Sequence, residues 1–401
     1  MTIERKPLDL PESEEALTRA VGSLRELIDL VTGKAFQEAS VQEDSGLAEV
    51  LPFPFLALVG QEDMKLALLL AIINPLINGV LLIGPRGTGK TTSARSLVDL
   101  LPDVQRSACF YGCLPEDIET GGIDAVCPDC ARKYAEGRPL TRKDRVRLIE
   151  LPLNATIEDV VGSLDERALE HERMRLKRGI LAQADMNVLY VDEVNLLNDE
   201  IANALLDAAS AGAYILRRGQ VSATYHARFS LIGSMNPEEG SLRSQILDRF
   251  GLRVIVHGLE DQKSRIEAYR RTRAYRQNPR ATVNQYLPDT LLAREEIVAA
   301  RALLPRVEIP SQVARAGTRL IHRFEVDSLR AEITLFEAAR AYAAADARTL
   351  VTLDDLKVVA PLALRLRRSK FMIKYFKDQK QEDQEVQQLL EDLSGSTEES
   401  Q

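Results

Sequence analysis

Tryptophan is absent from this chain, histidine occurs four times, and aromatic residues make up 5% of its 401 residues. So few rings leave no evident pocket for a large planar macrocycle. Cysteine is scarce as well, and all four lie between 109 and 130. That confinement excludes a disulfide framework spread over the fold and points to a local metal or redox cluster in a reducing compartment. No apolar run approaches the roughly 20 residues that cross a bilayer, and the N-terminus lacks the basic-then-apolar layout of a secretion signal. A cytoplasmic chain without a membrane span is the expectation. Nor is there an excess of positive charge: a net charge of −8 argues against nucleic acid as the main partner and leaves room only for local basic patches.

What is present begins with Gly84-Pro85-Arg86-Gly87-Thr88-Gly89-Lys90-Thr91, directly after the apolar run Gly79 to Ile83. This is the G-x-x-x-x-G-K-[ST] phosphate loop in the strand-then-helix setting it requires. Its glycines leave backbone N–H groups free to cradle phosphate oxygens. Lys90 is predicted to reach the β- and γ-phosphates, the Thr91 hydroxyl to ligate Mg²⁺, and the following helix, from Thr92 to Leu101, to add the partial positive charge of its N-terminus. Downstream, Val188 to Val191 is an apolar strand ending in Asp192 and Glu193. Mg²⁺ takes hard oxygen ligands, which suits Asp192 to a direct or water-mediated role, and leaves Glu193 to polarise the water that attacks the γ-phosphate. The pair reads as the Walker B element of an ATP-hydrolysing enzyme.

The length allows two or three domains. Residues 1–50 form an extension in which Leu17, Val21, Leu24, Leu27, Ile28 and Val31 give residues 13–37 a helical apolar stripe, with Ser13 as N-cap, followed by a linker from Ser45 to Phe55. Residues 51–260 alternate apolar strands with helices, predicting an α/β core with a parallel sheet covered by helices on both faces and a Cys-rich insert at 107–131. Its strands are Gly79–Gly84, Arg147–Leu151, Val188–Asp192, Phe229–Met235 and Leu252–Val256. Residues 261–370 read as an all-helical lid domain, with helices at Asp289–Leu304, Ser311–Phe324, Ser328–Ala345 and Thr352–Leu366. Ser328 and Thr352 are the expected N-caps, and Asp355 completes a capping box. Residues 371–401 form an acidic, disordered tail.

Several strings then narrow the class: Val59-Gly60-Gln61-Glu62-Asp63-Met64, Tyr190-Val191-Asp192-Glu193-Val194-Asn195, Gly233-Ser234-Met235-Asn236-Pro237-Glu238 and Leu247-Asp248-Arg249-Phe250-Gly251. In this order and spacing they resemble the ATPase subunit I of magnesium chelatase, a family of AAA+ ring ATPases with cobalt-chelatase and MoxR-type relatives. The resemblance covers Phe53 to Ala363. It implies that Val59 and Gly60 join Gly84 to Thr92 around ATP, that Asn236 orients the attacking water as sensor 1, and that Arg249 is an arginine finger donated to the neighbouring subunit. It implies further that Arg330 is a sensor 2 residue on the γ-phosphate of its own subunit. A guanidinium is the group best suited to stabilise charge on a transferring phosphoryl. A finger acting in trans implies a ring, a hexamer by resemblance. The family pairs this subunit with an AAA+ partner carrying an integrin-like domain and with a tetrapyrrole-binding subunit that performs metal insertion.

Residues 156–179 match the family's insert before Walker B but depart from its pattern, running through a highly charged Glu170 to Lys177. Residues 214–224 match its β-hairpin, with alternating residues around a Gly219-Gln220 turn. A MoxR-type ATPase that remodels an integrin-like-domain protein is therefore the alternative reading. A nucleic-acid-loading ATPase is a further class, to be recognised by salt-sensitive stimulation by DNA or RNA. Finally, Cys109-x3-Cys113-x13-Cys127-x2-Cys130 offers four soft ligands with the spacing of a structural zinc knuckle. A redox thiol pair, plain thiols and an iron–sulfur cluster are the other readings.

Overall fold

The structure, a computed structural model, describes residues 51–109, 112–164, 176–218, 221–240 and 242–368. The expected N-terminal helix, its Ser13 cap, the charged stretch at 165–175, the Gly219-Gln220 turn and the acidic tail lie outside the described residues.

In chain order the strands are β1 (Val80–Ile83), β2 (Val104–Ser107), β3 (Thr141–Asp144), β4 (Leu148–Leu151), β5 (Gly162–Leu164), β6 (Leu176–Arg178), β7 (Val188–Val191), β8 (Ala213–Arg218), β9 (Val221–His226), β10 (Ser230–Met235) and β11 (Leu252–Ile255). Five of them form one parallel sheet in the order β11-β1-β10-β7-β4. These are the five segments expected from the sequence. β1 and β7 are buried along their whole length, as strands covered on both faces must be. Alternate residues feed two cores: Val80, Leu82, Val188, Tyr190 and Ile232 point to one side, and Leu81, Ile83, Leu189, Val191 and Leu231 to the other. The remaining strands pair antiparallel as β2-β3, β5-β6 and β8-β9; the last is the expected hairpin.

After Ile255 the described chain is helical, with helices at Gln262–Gln277, Pro279–Leu303, Ser311–Arg323, Leu329–Ala345 and Leu353–Leu364. Two differ from expectation. The helix expected to begin at Asp289 begins at Pro279, capped by Asn278, whose side chain accepts from Ala281 N, and it runs through Pro288. The helix Gln262–Gln277 has no buried residue, so its sequence carries little apolar periodicity to announce it. Its start is set by Asp261, which accepts from Ser264 N at 2.9 Å.

The helical region docks on the sheet face that carries Val80 and Leu82. Leu335, Ala338 and Ala339 of Leu329–Ala345 share a core with Leu68 and Ile72 of helix Glu62–Ile73. Polar ties reinforce the contact: Asn74 Nδ2 donates to the Glu337 carboxylate at 2.6 Å, and Arg301 Nε donates to the Ile72 carbonyl at 2.8 Å. Thr352 and Asp355 form the expected capping box. Ser328 occupies the N-cap position but makes no cap; its hydroxyl instead donates to Asp248 Oδ2 at 3.1 Å.

Asp355 is buried and receives both Arg348 Nη1 at 2.9 Å and Nη2 at 2.6 Å. Burial alone would raise its pKa, yet the Arg348 pair and the Thr352 hydrogen bonds hold the carboxyl below its ordinary value. A depressed folded-state pKa contributes stability that is present above the unfolded value near 3.9 and is lost as pH falls through the folded one. Asp355→Asn is expected to destabilise the protein by about 2–3 kcal/mol at pH 7, the scale for losing hydrogen bonds to a charged group, and to flatten this acid limb. Urea melts at pH 7 and pH 3 check both.

Candidate active site

β1, β10 and β7 lie side by side, so the segments leaving their C-terminal ends meet at one edge of the sheet. They open onto a cleft of about 910 Å³ lined by Arg86 to Thr92, Asp192, Glu193, Ser234 and Asn236. The loop after β1 can turn there because Gly87 and Gly89 take φ of +78° and +89°, a region disfavoured for side chains. Gly89 caps a helix running from Lys90 to Leu97, two residues earlier than expected, which puts Thr91 and Thr92 in its first turn. Its N-terminal N–H groups and dipole thus face the cleft.

Lys90 is buried, and its ammonium donates to the Gly84 and Pro85 carbonyls at 2.6 and 2.7 Å. Desolvation lowers its pKa, opposed by Asp192, Glu239 and Glu193. Val59 lines the cleft beside Gln61; Gly60, Gly84 and Pro85 do not, the last two contributing instead the carbonyls that hold Lys90.

The carboxylates are oriented by neighbours that spacing did not reveal. Asp192 accepts from Ser234 Oγ and from Tyr190 OH, the latter at 3.1 Å, and its Oδ2 stands 3.5 Å from Thr91 Oγ1. Burial pushes the Tyr190 phenol up to about 12, so it remains a neutral donor. Thr91 and Asp192 thus present hydroxyl and carboxylate oxygens, the hard donors that Mg²⁺ requires. Glu193 adopts a left-handed backbone at φ +48°, a strained choice for a residue with a side chain. Arg86 bridges it at 3.2 Å and Glu239 at 2.5 Å. Asn236 is buried, caps the turn after β10 by accepting from Glu238 N, and donates to Glu239.

The two arginines implied by resemblance are elsewhere. Arg249 and Arg330 line a second cleft of about 700 Å³ that shares no residue with the first. Arg249 pairs with Asp207 at 2.7 Å. Arg330 is exposed and pairs with Asp248 at 3.1 Å. In this structure Arg330 lines the second cleft rather than that of Lys90: the helix it begins packs on the sheet face that carries Val80 and Leu82, and Asp248 holds its first turn by accepting from Ser328 and Arg330 together. Arg367, itself fully buried, binds the other oxygen of Asp248 at 2.7 Å.

Comparison with known proteins places these features. Residues 78–235 match the AAA domain and residues 315–389 the AAA lid domain. The magnesium-chelatase subunit ChlI homolog of Methanocaldococcus jannaschii is 42% identical over 347 residues, 82% of this chain and 93% of that one. The chain belongs to the magnesium-chelatase subunit I family. A second member of the family, the magnesium-chelatase 38 kDa subunit of Acidiphilium rubrum, is 43% identical over 79% of this chain and 90% of its own. A crystal structure from Cytophaga hutchinsonii aligns with a TM-score of 0.51 at 20% identity, over 78% of this chain and 84% of that one, a likeness of fold alone. This subunit I homologue is an AAA+ ATPase that works on ATP with Mg²⁺. No described helix is long and apolar enough to cross a membrane.

One wall of the cleft went unseen in the sequence. Arg265, Ala268, Thr272, Tyr275 and Arg276 line it from helix Gln262–Gln277. Their three- and four-residue spacing was the available signal, hidden because the shared face is polar.

Away from the cleft, the four cysteine Sγ atoms of this subunit I chain lie within 4.8 Å of one another. Cys109 Sγ is 3.6 Å from Cys113 Sγ and 3.7 Å from Cys127 Sγ. Four thiolates at about 2.3 Å from a tetrahedral ion stand roughly 3.8 Å apart, so the cluster fits zinc. Cys127 N also donates to Cys113 Sγ at 3.3 Å. Burial pushes the Cys113 thiol up to about 12 and raises Cys130 as well.

Proposed function

We propose that this chain is the ring-forming ATPase subunit of a magnesium-chelatase-type complex, coupling hydrolysis to metal insertion that partner subunits carry out on a tetrapyrrole. Lys90 binds the β- and γ-phosphates, exchanging its two carbonyl partners for phosphate oxygens. Thr91 and Asp192 hold Mg²⁺, which when bound neutralises charge on the transferring phosphoryl. Glu193 takes the proton of the attacking water, and Asn236 orients that water. Val59 and the wall from Arg265 to Arg276 enclose the rest of the nucleotide. The four cysteines hold a structural zinc, closed to substrate and without a part in hydrolysis.

The observation that carries the ring is the separation of the two clefts. Arg249 and Arg330 share one cleft, and neither lines the cleft of Lys90. That placement supports guanidinium groups that act on the phosphoryl of a neighbouring subunit, and in this reading each active site is completed at an interface. The family resemblance makes the ring a hexamer, and it makes the partners an integrin-like-domain AAA+ subunit and a tetrapyrrole-binding subunit.

Complementation tests this. Arg249→Ala keeps an intact phosphate loop, and Glu193→Gln keeps an intact Arg249. Each is expected to be nearly inactive alone, while random mixed rings regain up to about one quarter of wild-type ATPase, because one interface in four pairs the intact halves. Arg330→Ala mixed with Glu193→Gln is expected to recover likewise. Absence of recovery in mixed rings verified by mass would place the arginine in its own subunit's site.

A further inference from the structure

The segment between β2 and β3 carries a smaller core than a free-standing module of its size needs: among its described residues, the buried apolar ones beside Cys113 and Cys130 are Leu114, Ile118, Val126 and Leu140. A zinc staple supplies what that core lacks. The rim of the module touches both antiparallel ribbons. Asp117, on the helix between Cys113 and Cys127, accepts from Leu114 N at 2.7 Å through one oxygen and meets His226 Nε2 at the end of β9 at 2.9 Å through the other. Glu116, its neighbour, pairs with Arg228 at 3.4 Å. On the other side, Arg178 of β6 donates to the carbonyl of Cys109 at 3.4 Å and lays its guanidinium 5.9 Å from the ring centre of Tyr225 in β9. Tyr225 stacks on Tyr214 of β8, and Tyr214 OH donates to the Val161 carbonyl at the base of β5.

These links form a continuous set: a cysteine carbonyl and a cysteine-flanked helix each hold a ribbon, and the two ribbons hold each other. The base of the module is fixed to the sheet, with Arg106 of β2 donating to Asn187 Oδ1, just before β7, at 2.6 Å. We propose that zinc bound by Cys109, Cys113, Cys127 and Cys130 is the clamp that positions the β5-β6 and β8-β9 ribbons against the ATPase core. This rests on the zinc reading above and adds a role for it. None of the four cysteines lines the phosphate-loop cleft, so metal loss is expected to free the ribbons while leaving nucleotide binding intact.

The test uses the full chain. Zinc is counted after purification in zinc-replete medium, then released with an organomercurial thiol reagent and read with a metallochromic dye, while amide exchange is followed at 176–178, 213–218 and 221–226. One zinc per chain is expected. Its release is expected to speed exchange in both ribbons about tenfold or more, with Mg-ADP affinity changed less than about twofold. Asp117→Asn, which keeps all four cysteines, is expected to retain zinc and to loosen β8-β9 more than β5-β6. A chain without zinc overturns the zinc reading and the clamp together. A chain with zinc whose ribbons exchange alike before and after release, and in Asp117→Asn, overturns the clamp and leaves the zinc reading standing.

Discussion

Lys90→Ala is expected to weaken Mg-ATP binding by at least about 100-fold, since hydrogen bonds to charged groups contribute about 1.5–3 kcal/mol each and the ammonium is placed to make two of them. The ammonium is already desolvated and held in the loop by the Gly84 and Pro85 carbonyls, and on binding it exchanges those two neutral acceptors for charged phosphate oxygens, the stronger partners. The change removes a side chain without disturbing the glycine conformations at Gly87 and Gly89, and the fold is expected to persist. Calorimetric titration with Mg-ADP, beside circular dichroism of the variant, checks both statements. Binding within tenfold of wild type would mean that the phosphates lie elsewhere in the cleft.

Glu193→Gln has the opposite signature. Glutamine keeps the size of the side chain and an oxygen for Arg86, so the variant is expected to bind ATP nearly as wild type does. It cannot accept a proton from water, so turnover is expected to fall about 10²- to 10⁴-fold, the range for loss of a general base. The left-handed backbone of Glu193 supports this role, because such strain is held in place only where surroundings fix it. Single-turnover hydrolysis separates binding from chemistry, and rapid hydrolysis by this variant would remove Glu193 from the mechanism.

The central sheet was legible because its strands are short, mostly apolar runs bounded by polar or glycine-containing segments, uniformly apolar in Val80–Ile83 and Val188–Val191. The phosphate loop and the Asp192-Glu193 pair were legible for a related reason: each sits at the end of such a strand. Their convergence follows from strand order, which places β10 between β1 and β7, and no local pattern encodes that order. Three features lay beyond local reading. Helix Gln262–Gln277 buries no residue, so no apolar stripe marked the wall it gives the cleft, and the periodicity of its polar face went unnoticed. Arg330 begins a helix that the sequence identifies, yet the side of the sheet on which that helix docks is decided by long-range packing of Leu335, Ala338 and Ala339 on Leu68 and Ile72. The cysteine spacing suggested a metal site, whereas its links through Asp117 and Arg178 to two distant ribbons exist only in the folded chain.

The central claim is that this ATPase drives a chelatase, and one capture experiment addresses it most directly. Glu193→Gln, held in Mg-ATP, would be recovered from its native cell with whatever the stalled ring retains, and the retained proteins identified by mass spectrometry. The account predicts a large tetrapyrrole-binding subunit together with an integrin-like-domain AAA+ subunit. Recovery of an integrin-like-domain protein with clients unrelated to tetrapyrroles would contradict it and identify a MoxR-type remodelling ATPase instead.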